Sequence, residues 1–249
     1  MESAGQRNPI EVENLCKAFG KQKVLDDVNL HVTSGETLAV LGRSGTGKSV
    51  LLKLLIGLQK PDSGRITVHG KDIATLTPPQ LNELRLRIGF LFQQAALYDS
   101  LSVEDNVAFP LRRHSSDPPE KQQQKVRELL ESVGMQDHGH KMPSEISGGM
   151  QKRVGLARAL VLDPDILLFD EPTAGLDPIT ASEIDELIVG LREKRKLTAI
   201  VVTHDIRGAR TFAHRLVLLR EGQFVAEGSF ADLQKNDDRF VQQFVGSLS

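Results

Sequence analysis

The chain contains a glycine-rich stretch, GRSGTGKS at positions 42–49, whose residue types and spacing suit the binding of a triphosphate. Glycines let the backbone wrap closely, so that amide groups face phosphate oxygens, and a helix beginning there adds a partial positive charge. Lys48 would reach the β- and γ-phosphates, and the Ser49 hydroxyl would bind Mg²⁺. A buried apolar run precedes this phosphate loop and a helical pattern follows it, which favours the motif over a simple glycine-rich turn. The candidate binding residues of this segment are Gly42, Arg43, Ser44, Gly45, Thr46, Gly47, Lys48, Ser49 and Val50.

An acidic pair, Asp170-Glu171, ends the apolar run ILLF. A buried strand that ends in acids places charge at the carboxyl edge of a sheet, where open α/β sheets bind ligands. Asp170 can hold Mg²⁺, usually through water, and Glu171 can act as the general base that polarises an attacking water. Alone, the pair would be interpreted as an ordinary solvated strand end, and the phosphate loop is what favours the catalytic interpretation.

Gln93 and His204 each follow a predicted strand, level with Glu171. The Gln93 amide can contact both the metal and the attacking water, and His204 can contact the γ-phosphate. A lone Gln or His is more often structural, so this assignment depends on their positions. His138 and His140 resemble a metal pair, but no further ligand spacing supports a site, and we interpret them as loop residues.

The segment ISGGMQKR (146–153) is a second candidate anion site. Ser147 offers a hydroxyl, and Gly148 and Gly149 allow close backbone approach at a helix start whose positive end points outward. The alternative is a capped helix after a turn. Because the phosphate loop already holds one triphosphate, we expect this serine–glycine segment (147–149) to close over the γ-phosphate of a second copy. The sequence therefore predicts a head-to-tail dimer with two ATP molecules at its interface.

The elements that must position these residues alternate between strands and helices, apart from one helical region. This alternation predicts a mainly parallel sheet covered on both faces, with a helical insertion at 94–163 and a smaller β region near the start. The predicted strands are 10–15, 24–32, 37–41, 66–70, 88–93, 166–169, 198–203, 216–220 and 223–228. The predicted helices are 48–56, 78–87, 102–109, 121–134, 149–162, 178–194, 205–212, 230–235 and 240–245.

Composition excludes several classes of protein. The 249 residues, 39% apolar, can bury a sizeable core, and the net charge of −2 argues against a general attraction to nucleic acid. One cysteine allows no internal disulfide, and the polar start lacks the apolar core of a signal peptide. No apolar stretch is long enough to span a bilayer, so another chain would do so if the protein acts at a membrane.

Taken together, GRSGTGKS, Gln93, ISGGMQ, ILLFDE, the TAGLD loop (173–177) and His204 resemble the ATP-binding cassette (ABC) ATPases in order and spacing. The resemblance implies an α/β P-loop NTPase fold with a RecA-like parallel-sheet core, an N-terminal antiparallel β region and an inserted helical subdomain. It implies one domain over 1–249, with the core in 1–93 and 164–249 and the helical subdomain in 94–163. ATP and Mg²⁺ are the implied ligands. The implied catalytic residues are Lys48, Gln93, Glu171 and His204, and the implied metal ligands are Ser49, Gln93 and Asp170.

The same resemblance assigns roles outside the catalytic cluster. Asp177 would signal across the dimer, and Phe19 would stack on adenine. The departures from the family pattern are Ile146 for Leu, Phe19 for Tyr, which keeps a stacking face, and Met150 for Gln, which is expected to weaken contacts at the serine–glycine segment. The remaining implied nucleotide-binding residues are Gln93, Ser147, Gly148, Gly149 and His204.

Within this family, SGGMQKR, GRSGTGKSVLLK and FLFQQAALYDSLSVEDNVAFPL look like the ATPase subunits of Mce-associated lipid transporters. This implies an ATPase at the cytoplasmic face of the bacterial inner membrane, bound to a permease dimer and working with a periplasmic Mce-type lipid-binding subunit. The segment after Gln93 would form the groove for a permease coupling helix. A transporter for an amino acid or a lipoprotein is an alternative. DNA-repair and translation ATPases are disfavoured, because the insertion is short and the chain holds one cassette. The apolar face at 240–245 is expected to pack on its own domain, with a contact to a partner as the alternative.

Overall fold

The computed structural model describes residues 8–246, except for the side chains of Arg192 and Arg195. Residues 1–7 and 247–249 of the predicted domain lie outside the described part of the chain. The strands are β1 (Ile10–Phe19), β2 (Gln22–Val32), β3 (Thr37–Leu41), β4 (Ser63–Val68), β5 (Lys71–Asp72), β6 (Ile88–Leu91), β7 (Ile166–Asp170), β8 (Thr198–Thr203), β9 (Arg215–Arg220) and β10 (Gln223–Gly228). The α-helices are α1 (Lys48–Leu55), α2 (Pro78–Leu86), α3 (Val103–His114), α4 (Pro119–Ser132), α5 (Gly148–Leu160), α6 (Pro178–Arg195), α7 (Ile206–Phe212), α8 (Phe230–Gln234) and α9 (Arg239–Gly246).

A small antiparallel sheet lies at the N-terminal end, with strand order β2-β1-β4-β5. Ile10 and Val12 alternate toward the core, as the sequence predicted. At Asn14 the backbone takes a positive φ of 47°, and the pairing register shifts between Val12 and Leu15. This irregularity turns Leu15 inward, where a strict alternation would have left it on the other face.

The larger sheet has strand order β10-β9-β3-β8-β7-β6 and is parallel from β9 to β6, with β10 antiparallel at one edge. Every residue of β3, β7 and β8 is buried. Strands covered on both faces need apolar side chains on both, which explains why their sequences are continuous apolar runs. The predicted parallel sheet is confirmed.

Alternate residues of the same strands supply two separate cores. Leu38 and Val40 of β3 pack with α1 and the N-terminal sheet. Ala39 and Leu41 pack on the opposite face with residues of α5, α6 and α7. The period of two along a strand therefore places a core on each side of the sheet, and the carboxyl ends of the parallel strands stay at one edge.

The helical insertion follows β6 and comprises α3, α4 and α5, as predicted, but several boundaries differ; α4, predicted at 121–134, covers Pro119–Ser132. Strand β6 ends at Leu91 rather than Gln93, because the Phe92 carbonyl accepts a turn hydrogen bond from Ala95 N. Helix α3 continues past Phe109 and through Pro110 to His114. Proline removes one backbone donor, but the next residue, Leu111, is 2% exposed, and its burial favours continuing the helix.

Candidate functional site

The phosphate loop joins β3 to α1, and the structure requires two of its glycines. A Cβ on Gly47 would lie 2.5 Å from Val24 Cγ1, and the residue has a φ of +102°. A Cβ on Gly42 would lie 2.8 Å from the Leu219 carbonyl oxygen. Only glycine fits these two positions, so the sequence folds this segment into a tight loop around the start of α1.

Lys48, the first residue of α1, is 4% exposed. Its Nζ lies 2.8 Å from the Gly42 carbonyl oxygen, 3.0 Å from that of Arg43 and 3.1 Å from Glu171 Oε1. A buried ammonium group needs such partners to offset its lost hydration. The ammonium therefore spans the loop from inside and faces the Glu171 carboxylate, a position from which it can contact phosphate oxygens.

Ser49 donates a hydrogen bond to Asp170 Oδ1 at 2.6 Å, which joins the phosphate loop to the end of β7. Asp170 is 5% exposed, and burial raises its pKa, although the bond from Ser49 opposes that shift. Adjacent hydroxyl and carboxylate oxygens are hard ligands of the kind Mg²⁺ prefers. No group of three or more His, Cys, Asp or Glu side chains suited to a metal occurs within residues 8–246. A site with few protein ligands suits Mg²⁺, which keeps waters and phosphate oxygens in its shell.

Glu171 lies between the side chains of Lys48 and His204. Its Oε1 faces Lys48, and its Oε2 lies 2.8 Å from His204 Nδ1 and 3.3 Å from the His204 backbone N. The residue is 7% exposed and has a φ of 48°, in the left-handed region. That conformation costs about 1–2 kcal/mol for an L-residue and is held here by a hydrogen bond from Glu171 N to the Val202 carbonyl. The strained backbone thus aims a buried carboxylate toward the phosphate loop.

Lys152 of α5 belongs to the same cluster, and the sequence analysis missed it. It is 5% exposed, and its Nζ donates to the backbone carbonyl oxygens of Gln93 and, at 3.2 Å, Glu171. Burial lowers the pKa of Lys152 to about 8, while the nearby carboxylates oppose that shift. A sequence signal was present, since Lys152 lies on the same helical face as the buried Leu156 and Leu160.

The structure connects Gln93 to the cluster through its backbone. Its carbonyl oxygen accepts from Lys152, and its side chain is exposed. Among the described residues, its amide group makes no hydrogen bond. The predicted proximity of Gln93 to Glu171 therefore holds through the shared contact with Lys152, and a direct role for the Gln93 amide stays a prediction.

The serine–glycine segment begins α5, with Ser147 as its N-cap; the Ser147 Oγ accepts a hydrogen bond from Met150 N at 3.3 Å. Ser147 and Gly148 are exposed. A Cβ on Gly149 would lie 2.3 Å from Thr180 Cγ2, so the second glycine allows the helix start to pack against α6. The two glycines serve different needs: one lies at the surface, and the other makes a close contact within the chain.

Two further predicted residues lie at the surface near these elements. Asp177 caps α6, since its Oδ1 accepts from Ile179 N and Thr180 N at 3.1 Å each. Phe19 ends β1 and is 49% exposed, with Lys17 Nζ 5.4 Å from its ring centroid. Its ring belongs to the β1–β2 hairpin, the same hairpin whose second strand contacts the phosphate loop.

Comparison with known proteins gives matches over most of the chain. Residues 25–174 match the family described as ABC transporter. The intermembrane phospholipid transport system ATP-binding protein MlaF of Haemophilus influenzae is 43% identical over 239 residues, which cover 96% of this chain and 90% of the relative. The probable ribonucleotide transport ATP-binding protein mkl of Mycobacterium leprae is 43% identical over 236 residues, covering 95% of this chain and 68% of the relative. The chain thus spans about two thirds of the length of the mycobacterial relatives.

Solved structures share the fold. A dimeric post-hydrolysis state of the ATP-binding cassette MJ0796, bound to ADP and Pi, aligns with a TM-score of 0.82 and 33% identity. The alignment covers 88% of this chain and 98% of that one. Within the described residues, no helix combines the length and apolar character needed to cross a membrane.

Proposed function

The chain belongs to the ABC transporter family, and from that premise we propose that it is the ATP-hydrolysing subunit of a transporter that moves phospholipid, or a similarly hydrophobic molecule, between bacterial membranes. The observation that carries the ATPase assignment is the contact chain from Lys48 through Glu171 to His204, built on the phosphate loop. The lipid assignment rests on the MlaF relatives, 38–43% identical over nearly the whole chain.

In this proposal the phosphate loop holds the triphosphate of ATP, and Phe19 stacks on adenine. Lys48 exchanges its contact with Glu171 for phosphate oxygens, which stabilises the charge of the transferred group. Ser49 and Asp170 hold Mg²⁺, with Gln93 as a further ligand. Bound Mg²⁺ supplies neutralisation of phosphate charge.

Glu171 acts as the general base. Once Lys48 turns toward phosphate, Oε1 is free to accept a proton from a water aligned with the γ-phosphate. His204 stays on Oε2 through Nδ1 and fixes the direction of the carboxylate, which leaves Nε2 of its half-exposed ring available to contact the γ-phosphate. The left-handed backbone at Glu171 keeps this carboxylate at the carboxyl edge of the sheet.

The working unit is a head-to-tail dimer in which the serine–glycine segment of each copy completes the ATP site of the other. Ser147 and Gly148 are exposed at a helix start, as such a role requires. Asp177, which caps the neighbouring helix, lies beside this segment and carries the signal between sites. The dimeric MJ0796 cassette, bound to ADP and Pi, supports a dimer of this chain.

Motion passes to a permease through the helical subdomain, residues 94–163, which moves against the core formed by 1–93 and 164–249. A groove of about 450 Å³ lies between these parts and suits a permease coupling helix. The subunit then lies at the cytoplasmic face of the inner membrane, held by the permease, and works with a periplasmic Mce-type lipid-binding subunit. Residues lining the groove include Phe90, Phe92, Tyr98, Phe109, Arg113 and Arg158.

The test uses the transporter complex reconstituted in vesicles. Lys48→Ala is expected to abolish ATP hydrolysis and weaken ATP binding, while Glu171→Gln keeps binding and, as the purified subunit in solution, traps an ATP-bound dimer visible by size-exclusion chromatography. Hydrolysis at the wild-type rate by Glu171→Gln would remove the general base from the proposal.

The substrate needs a separate measurement. Fluorescent phospholipid should move between vesicle populations only with ATP and the intact complex. Uptake of ribonucleotide without lipid transfer would support the function in the names of the mycobacterial relatives instead.

A further inference from the structure

We propose that Lys152 is a positioning residue that couples the two ATP sites of the dimer, by fixing Gln93 and Glu171 of its own chain to the helix that completes the partner's site. The inference rests on the proposed function, because it needs two composite sites. It assigns a role to a buried cation that neither binds the nucleotide nor belongs to the predicted catalytic set.

Lys152 bridges two separate segments of the chain. Its Nζ donates to the carbonyl oxygen of Gln93, between β6 and α3, and to that of Glu171, at the end of β7. Among the described residues, two lysines are buried, Lys48 and Lys152, and both contact Glu171. One lysine faces the Glu171 carboxylate, and the other fixes the backbone from which that carboxylate extends.

The segment after Gln93 is strained and depends on α5 for its shape. Ala95 and Ala96 both have positive φ, 56° and 49°. Their carbonyl oxygens accept hydrogen bonds from Arg158, at 2.6 and 2.8 Å. Residues other than glycine adopt a positive φ only where their surroundings impose it. Here α5 imposes it through two cations, Lys152 and Arg158.

Helix α5 is the rigid link between the two sites. Ser147 caps it, and Lys152 follows five residues later, about 7.5 Å along the axis. Contact of the serine–glycine segment with a partner's nucleotide would shift this helix as one body. Lys152 passes that shift to Gln93 and Glu171 together, whereas Arg158 reaches only the strained loop. Such coupling is a free energy that connects the two ATP sites. Removing the Lys152 contacts should lower this coupling free energy.

The experiment compares Lys152→Met with Arg158→Met in the full transporter complex. Methionine keeps an unbranched apolar stem and removes the donors. Lys152→Met is expected to lower kcat about tenfold, with the KM for ATP nearly unchanged, and to bring the Hill coefficient for ATP close to one. Arg158→Met leaves the Glu171 contact intact and should retain the wild-type Hill coefficient, although it can lower kcat because Arg158 also lines the groove proposed for the permease. Lys152→Gln keeps an NH₂ donor group and should recover part of kcat.

Thermal unfolding of each variant separates loss of fold from loss of coupling. A folded Lys152→Met complex with wild-type kcat and Hill coefficient overturns the inference. An equal loss of the Hill coefficient in Lys152→Met and Arg158→Met overturns it too, because both residues would then act only by holding the loop. Should Lys152→Met fail to fold, Lys152→Gln decides by the same criteria. The proposed function is judged separately by Lys48→Ala, which must abolish hydrolysis whatever Lys152 does.

Discussion

Asp185 on α6 is a buried carboxyl group that should make the protein less stable as the pH rises. It is 7% exposed, and its Oδ1 has no hydrogen-bond partner within the part of the chain that the structure describes. The carboxyl packs against the backbone of Gly208, where an added Cβ would lie 2.5 Å from Oδ2. Burial, with a smaller contribution from the charge of Asp205, raises the pKa of Asp185 to about 7.

The sign of the effect follows from proton binding. Between the pKa of an unfolded Asp, about 4, and the folded value, the native state holds a proton that the unfolded state has lost, so the free energy of unfolding falls with pH. About two pH units separate pH 5 from the folded pKa of Asp185. The free energy of unfolding therefore falls by at most about 3 kcal/mol over that range. Allowing for solvent screening, we expect about 1–2 kcal/mol. Asp185→Asn removes this charge. The unfolding free energy of the variant, relative to that of the wild type, should therefore increase by about 1–2 kcal/mol as the pH rises from about 5 to about 8.5.

The assay is urea unfolding of both proteins at the two pH values. Glu186→Gln is the matched control, since it changes an exposed carboxylate on the adjacent residue of the same helix. It should show no comparable change with pH. A difference between Asp185→Asn and the wild type that stays constant from acid to alkaline pH would refute the raised pKa.

Two further substitutions test contacts away from the carboxylates. Asn106 is fully buried and donates to the carbonyl oxygens at 98, 101 and 102; Asn106→Ala should cost about 2–4 kcal/mol of unfolding free energy in urea, whereas exposed Gln124→Ala should cost little. The Phe240 ring of α9 lies 5.7 Å from the guanidinium of Arg43, in the phosphate loop. Phe240→Ala should free that loop residue and raise the Kd for ATP about two- to fivefold by calorimetry, and Phe230→Ala, whose ring pairs with Arg210, serves as the control.

Long elements were predictable from the sequence, and local exceptions were not. The apolar runs of β3, β7 and β8 could be buried only within a doubly covered sheet, so their type and order followed directly. The bulge at Asn14 carries no such signal, because one residue of left-handed backbone changes the face of every later side chain. Pro110 was expected to follow the end of a helix, but burial of Leu111 outweighed the missing hydrogen bond.

The candidate site followed the same division. Residues at strand ends, such as Glu171 and His204, could be placed together because parallel strands end at one edge. Lys152 could not be placed in this site by a motif, because its partners are backbone carbonyl oxygens. Every residue carries such an oxygen, and no motif distinguishes one from another. A lysine on an otherwise apolar helix face was the available signal, since buried lysines occur only where they are paired.

Strand register explains why distant parts of the chain meet at one edge of the sheet, and the position of the serine–glycine segment explains why we expect a second copy to complete the site. Leu41 pairs with Thr203, and Asp170 pairs with Val202, so the segments that follow β3, β7 and β8 leave the sheet at the same level. The serine–glycine segment starts a helix that packs beside this sheet. Its close neighbours are Leu176, in the loop before α6, and Thr180, in α6. An exposed helix start with a positive end is stabilised by an anion. Since the triphosphate of the same chain is expected on the phosphate loop, the geometry favours an anion supplied by a second copy.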